Sequence, residues 1–261
     1  MVKGAASKEP ATLLHDGTAF RIVGIIPARG GSKEVPRKNI KLLAGQPLLT
    51  YMLSSALGSR YLTRVVVSSD DDEILRVAAE YGGEDVCLKR PRELAEDDSP
   101  DVPMLQHAVR EIEQRDGVTF DYVVQLHATT PFMTSADIDG AMKTLLDDPE
   151  ADSGVSVFQV NSYHPIKLKK IVGNRLEQYV EQCEEKTTSR RQDFLPVYKR
   201  NGGLYASKRS VVMTLGRVWG DRVLPYVMPD HRSLEIDSPT DFLLADLLMR
   251  HIKANGDPGA L

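Results

Sequence analysis

Of the 261 residues only two are cysteines, Cys87 and Cys183, far apart and in no metal-ligand spacing. That sets aside a zinc site and a disulfide scaffold and leaves two thiols in a reducing compartment. No apolar run approaches the ~20 residues that a membrane helix needs. Met1 to Phe20 carries charges and glycines without a continuous apolar stretch, so it does not read as a secretory leader. The expectation is a cytoplasmic protein with no membrane partner. A basic excess is missing too: 33 Lys and Arg stand against 37 Asp and Glu, for a net charge of −4. Nucleic acid is therefore not an expected partner, and any anion must be held by a local cluster of cations. Two common phosphate motifs are absent. Lys33 is followed by Glu34 and lacks the glycine spacing of a P-loop, and Gly30 and Gly31 do not make G-x-G-x-x-G.

What is present is an ordinary globular composition, 41% apolar and 27% charged. Residues 1–20 read as a polar, weakly structured lead-in. Arg21 to Pro27 is an apolar run of strand length, and its continuity implies a strand covered on both faces, as in a parallel sheet. A glycine-rich basic loop follows to Asn39, and Pro47 opens a helix. Strand Arg64–Ser69 is followed by an acidic helix start at Asp70–Glu73, a short strand near Asp85–Leu88 and a helix from about Asp101 to Gln114. Tyr122–Leu126 is a further buried strand, and Thr134 or Ser135 caps a helix running to about Leu146. This alternation predicts one α/β domain built on an open, mostly parallel sheet with helices on both faces, its nucleotide-binding part spanning 21–160. Residues 161–198 interrupt the alternation with a hairpin around Gly173-Asn174, which predicts an arm, a lid or a dimer contact. Residues 199–261 return to the sheet, with strands at Gly203–Ser207 and Val223–Met228 and a helix from Pro239 to about Ile252.

The most informative segment is Ala28-Arg29-Gly30-Gly31-Ser32-Lys33, continuing to Arg37, Lys38 and Asn39. The glycines let backbone N–H groups turn toward an anion, and four cations follow the carboxyl end of the first strand. That is where open α/β sheets bind ligands, and a triphosphate fits the charge. A second constellation is Glu235-Ile236-Asp237, placed at a strand end, where residues two apart point the same way. Both carboxylates can then face one Mg²⁺, although Asp237 or Ser238 also serves as a helix cap before Pro239. Arg190-Arg191 and Lys199-Arg200 form a third basic cluster, and His127 ends a buried strand. Trp219 is the single tryptophan.

Read together, Ile25 to Lys33, Pro36 to Asn39, Ser68-Ser69-Asp70, Arg90-Pro91, Thr129-Thr130-Pro131, His164-Pro165-x-Lys167, Arg191-Gln192, Asn201-Gly202-Gly203-x-Tyr205 and Glu235-Ile236-Asp237 resemble the CMP-sialic acid synthetase family over residues 21–252. That family is similar in turn to the synthetases of CMP-Kdo. The resemblance implies the nucleotide-diphospho-sugar transferase fold, CTP and an acidic 2-keto-3-deoxy sugar as substrates, Mg²⁺ (with Mn²⁺ as an alternative) as cofactor, and a homodimer formed through the arm at 161–198. It implies that Ala28, Arg29, Gly30, Gly31, Ser32, Lys33, Lys38 and Asn39 hold the CTP phosphates, and that Arg90 and Asp101 face cytosine and ribose. Asp237 with Glu235 then binds the metal. His127, Lys167, Arg191, Tyr205, Val218 and Trp219 line the sugar side. The implied catalytic groups are Arg29, Lys33 and Asp237. Glu34 and His127 depart from the family pattern, and His127 favours a legionaminic- or pseudaminic-type acid over N-acetylneuraminate. The alternatives are a Kdo- or phosphonate-activating cytidylyltransferase and a non-catalytic nucleotide- or sugar-binding protein.

Overall fold

The computed structural model describes residues 12–96, 99–160, 164–180 and 195–256. Its central sheet contains β1 (Ile22–Pro27), β2 (Arg64–Ser69), β3 (Cys87–Lys89), β4 (Tyr122–Leu126), β5 (Ser153–Gln159), β6 (Tyr198–Lys208) and β7 (Val223–Val227). The spatial order is β7-β5-β6-β4-β1-β2-β3. All neighbours are parallel except β6, which runs antiparallel to β4 and β5. The helices are α1 (Leu48–Leu57), α2 (Asp72–Gly82), α3 (Asp101–Asp116), α4 (Ser135–Leu146), α5 (Arg209–Met213) and α6 (Pro239–Asn255).

The period of two explains the continuous apolar run in β1. Ile22 and Ile26 join Leu49 and Met52 of α1 and Ile138 and Met142 of α4 in one core cluster. Val23 and Ile25 point the other way, into a second cluster with Leu105, Val109 and Ile112 of α3. Each such aliphatic side chain contributes about 1.5–3 kcal/mol of transfer free energy when buried. A third cluster lies beneath α6, where Ile236 packs with Phe242, Ala245 and Met249. The chain leaves β1 toward β2 and β3, then returns to place β4 on its other side. The loops after β1 and β4 therefore diverge, and a crevice opens between them at the carboxyl ends of the strands.

The structure corrects several expectations. Described residues before Arg21 are structured: Leu13–His15 pairs with Thr18–Phe20 across Asp16 and Gly17, both with positive φ, as a tight hairpin turn requires. Leu13 and Phe20 pack against the first cluster. The stretch before β3 is a 3₁₀ turn, Glu84–Val86, so the strand begins only at Cys87. Glu235–Asp237 is not a strand, because no strand among the described residues pairs with it; it is a connection held by Ile236 in the core and by the Ile236 N–H bond to the Thr129 carbonyl, 2.8 Å. The arm does contain the expected hairpin. Lys169–Val172 pairs with Arg175–Gln178, and among the described residues these two strands pair only with each other.

Candidate active site

A cleft of about 720 Å³ lies where β1 and β4 part, lined by Arg29, Ser32, Lys33, Lys38, Asn39, Arg90, Asp101, His127 and Asp237 among others. Nine residues singled out from sequence thus converge on one concavity. Sequence reading did not single out Glu96, Ser99 or Met104, which also line it; they follow no local motif, Glu96 and Ser99 preceding α3 and Met104 standing in its first turn. Glu34 lines the cleft as well.

The loop after β1 is bound tightly to its surroundings. The Ala28 N–H donates to the Ser68 carbonyl at 3.0 Å, and the Ala28 side chain is wholly buried in the core. With its side chain in the core and its N–H on Ser68, Ala28 has no donor left for a phosphate, and its place in the expected phosphate grip is that of a packing residue. Gly30 N donates to Asp70 Oδ1 at 3.0 Å, and a Cβ on Gly30 would fall 2.8 Å from Asp71 Oδ2. Gly31 meets nothing within 4 Å. Asn39 Nδ2 donates to the Arg29 carbonyl at 3.0 Å, and Lys38 Nζ donates to the Ile236 carbonyl at 2.8 Å. Of the four loop cations, Arg37 is diverted: its guanidinium grips Asp71 and Glu73 of the α2 N-terminus, which holds the Asp71 carboxyl below its ordinary value.

Arg90 follows β3 and is only 5% exposed. Its Nε and Nη2 are buried without a hydrogen-bond partner, and Nη1 reaches only the Leu94 carbonyl at 3.4 Å. Burial pulls this guanidinium below its ordinary value, while Asp70 and Asp101 hold it up. A buried cation with idle donors on a cleft wall is shaped to receive an acceptor-rich ligand.

Across the cleft, Asp237 is 71% exposed at the side chain, and its Oδ1 lies 3.7 Å from Lys38 Nζ. Ser238, not Asp237, caps α6, in a reciprocal box with Asp241. The Asp237 carboxylate is consequently not used up at the helix start. Glu235 is tucked against the backbone of Gly202, where a Cβ would come 2.1 Å from Glu235 Oε1. Burial raises the Glu235 carboxyl above its ordinary value, and neighbouring Asp237 raises it further. The two carboxylates thus share one field, although Glu235 sits behind the cleft lining.

The sugar-side residues divide. His127 walls the cleft with Nε2 buried and unpartnered; burial pulls its pKa down, Asp101 and Asp237 oppose this, and Lys38 adds to it. Its ring lies 5.8 Å from that of Tyr205, which stacks on Trp219 at 5.6 Å and 21°. The Arg200 guanidinium covers the outer face of Trp219 at 4.6 Å. Trp219 and Arg200 also border a separate apolar groove of about 470 Å³. Val218 does not join them. Its side chain packs against the second core cluster, the chain bending at Val218 and Trp219. Lys167 is exposed on the 3₁₀ turn Pro165–Lys167 before the hairpin and does not line the cleft. Arg191 lies outside the described residues.

A loop of backbone N–H groups and cations at the switch point of an α/β sheet, faced by acidic oxygens, defines a nucleotide-handling transferase site. The cytidylyltransferase family model matches residues 23–227, and the chain belongs to that family. It is 32% identical over 243 residues to the CMP-N,N'-diacetyllegionaminic acid synthase of Legionella pneumophila, covering 88% of this chain and 97% of that protein. It is 30% identical to the pseudaminic acid cytidylyltransferase of Campylobacter jejuni, over 87% of this chain and 95% of that one. In fold it is similar to a CMP:2-keto-3-deoxy-manno-octonic acid synthetase solved with CTP, with a TM-score of 0.63 at 18% identity, covering 88% and 99% of the two chains.

Proposed function

We propose that this protein transfers CMP from CTP to the anomeric hydroxyl of a nonulosonic acid and releases pyrophosphate. The observation that carries this reading is the cation loop after β1 facing Asp237 across one cleft. The relatives named for legionaminic and pseudaminic acids support the acceptor class, and His127 in place of the glutamine expected for N-acetylneuraminate enzymes favours the same two acids.

In this reading the anomeric oxygen attacks the α-phosphorus in line, the P–O bond to the β-phosphate breaks, and pyrophosphate departs with the electron pair. Arg29 and Lys33 place positive charge where the transition state gathers negative charge, and the loop N–H groups hold the phosphates in position. Arg90 offers its idle donors to the nucleotide. Asp237 and Glu235 would hold Mg²⁺ or Mn²⁺; a pair of carboxylates in one field, one of them open to the cleft, is the oxygen donor set such an ion takes beside phosphate. When bound, the metal supplies charge neutralisation at the phosphates and acidifies the attacking hydroxyl.

The homodimer and cytoplasmic setting belong to the same proposal. Ile171 and Leu176 on the hairpin are 77% and 73% exposed, an apolar surface suited to a second copy. No helix among the described residues is long and apolar enough to cross a membrane. The test is product identity by mass spectrometry after incubation with CTP, Mg²⁺ and, separately, legionaminate, pseudaminate, N-acetylneuraminate and Kdo. A CMP-linked nonulosonic acid is expected; a CMP-linked Kdo alone overturns the acceptor class.

A further inference from the structure

The loop carrying Trp219 is pinned on both sides of the indole by buried polar groups that play no part in the nucleotide cleft. Ser207 Oγ donates to the Val218 carbonyl at 2.7 Å, just before Trp219. The Gly220 N–H, just after it, donates to Ser153 Oγ at 2.8 Å. Ser153 and Ser207 face each other across β5 and β6 with their hydroxyls 3.0 Å apart, and both residues are buried. Since the Ser207 proton goes to Val218, Ser153 must donate to Ser207. The result is a one-way relay in which every donor finds an acceptor. Asp152 Oδ2 extends the grip by accepting from the N–H groups of Asp221 at 2.9 Å and Arg222 at 3.0 Å. A Cβ on Gly220 would fall 2.4 Å from the Asp152 carboxylate carbon, so the turn closes this tightly only with glycine.

In such a network, removing one member orphans its neighbours. The residue it fixes lines the apolar groove and meets the cleft through Tyr205, on which it stacks and whose ring lies beside that of His127 in the cleft wall; the Arg200 guanidinium also packs on the indole. We propose that Ser153, Ser207 and Asp152 are positioning residues that hold Trp219 as a rigid wall against which the sugar acid is selected. This rests on the reading of the cleft as a CTP and sugar-acid site.

Trp219 is the only tryptophan, so its fluorescence reports the clamp without turnover. In Ser207→Ala the Val218 carbonyl loses its donor and Ser153 its acceptor. We expect acrylamide to quench Trp219 more readily and KM for the sugar acid to rise about five- to ten-fold, the effect of one lost buried hydrogen bond. KM for CTP stays unchanged. Ser207→Thr, which keeps the hydroxyl, restores both readouts, and Asp152→Asn on the loop's other flank reproduces the split in milder form. Unchanged quenching in Ser207→Ala and Asp152→Asn overturns the clamp, and so does an equal rise in both KM values. A wild type that quenches as described yet forms no product with any acid refutes the transfer reading while leaving the clamp standing.

Discussion

Lys33 and Asp237 both line the cleft, one brought by the loop after β1 and the other by the segment before α6. If the first neutralises phosphate and the second anchors the metal, each acts on charge that grows in the transition state. Lys33→Ala and Asp237→Ala should then each lower kcat by roughly 10²–10³, as removal of one oxyanion donor does elsewhere. Steady-state kinetics checks this, and near-normal turnover in both removes the assignment. Gly202 is a subtler residue. It has a φ of +73°, and an added Cβ would collide with Glu235 Oε1. Gly202→Ala should displace Glu235 and weaken Mg²⁺ activation at least ten-fold, with a backbone cost of only about 1 kcal/mol. A Mg²⁺ titration of activity beside a thermal melt separates the two effects.

The element that matters most after β1 is α2, because it anchors the phosphate loop. Asp71 caps its N-terminus, accepting from Glu73 N at 2.9 Å and Ile74 N at 3.1 Å, while Arg37 reaches it from the loop. These contacts hold the Asp71 pKa below its unfolded value, the Arg37 hydrogen bond first among them. A depressed carboxyl stabilises the fold above its unfolded pKa and loses that contribution as pH falls through the folded one. Asp71→Asn should therefore lower stability by about 1 kcal/mol at pH 7, where a charged cap and its ion pair are lost. The gap to wild type should begin to narrow near pH 4, about the ordinary carboxyl value, and close only as pH falls through the lower folded pKa. Denaturant melts at the two pH values decide it; a gap independent of pH sinks the argument. Such elements were legible where one local signal settled them. The continuous apolar run gave β1 its place inside the sheet, and Gly30-Gly31 among cations marked the anion loop. The Asp16-Gly17 turn carries an equally local signal, a dipeptide suited to positive φ. The segment at Glu235 kept the alternation of a strand, but only the partner strands decide whether a strand forms, and here none is in reach.

At the scale of the molecule, the site is assembled from five regions, the first and last of them, at Pro27 and Asp237, 210 residues apart in sequence. That Arg37 pairs with α2, that Val218 turns into the core while Trp219 stacks on Tyr205, and that Arg90 is buried with idle donors are long-range facts without a local mark. The arm adds a prediction at this scale. Replacing Ile171 and Leu176 with Asp should convert a dimer to a monomer in sedimentation velocity, since two charges would replace two of its most exposed apolar side chains. A wild type that sediments as a monomer contradicts the dimer. The central claim is cytidylyl transfer itself. The most direct test is pyrophosphate release from CTP by the wild-type protein with Mg²⁺, measured with and without each sugar acid. The account predicts release that depends on a nonulosonic acid, one pyrophosphate for each acid consumed. CTP binding without release for any of the acids would contradict it.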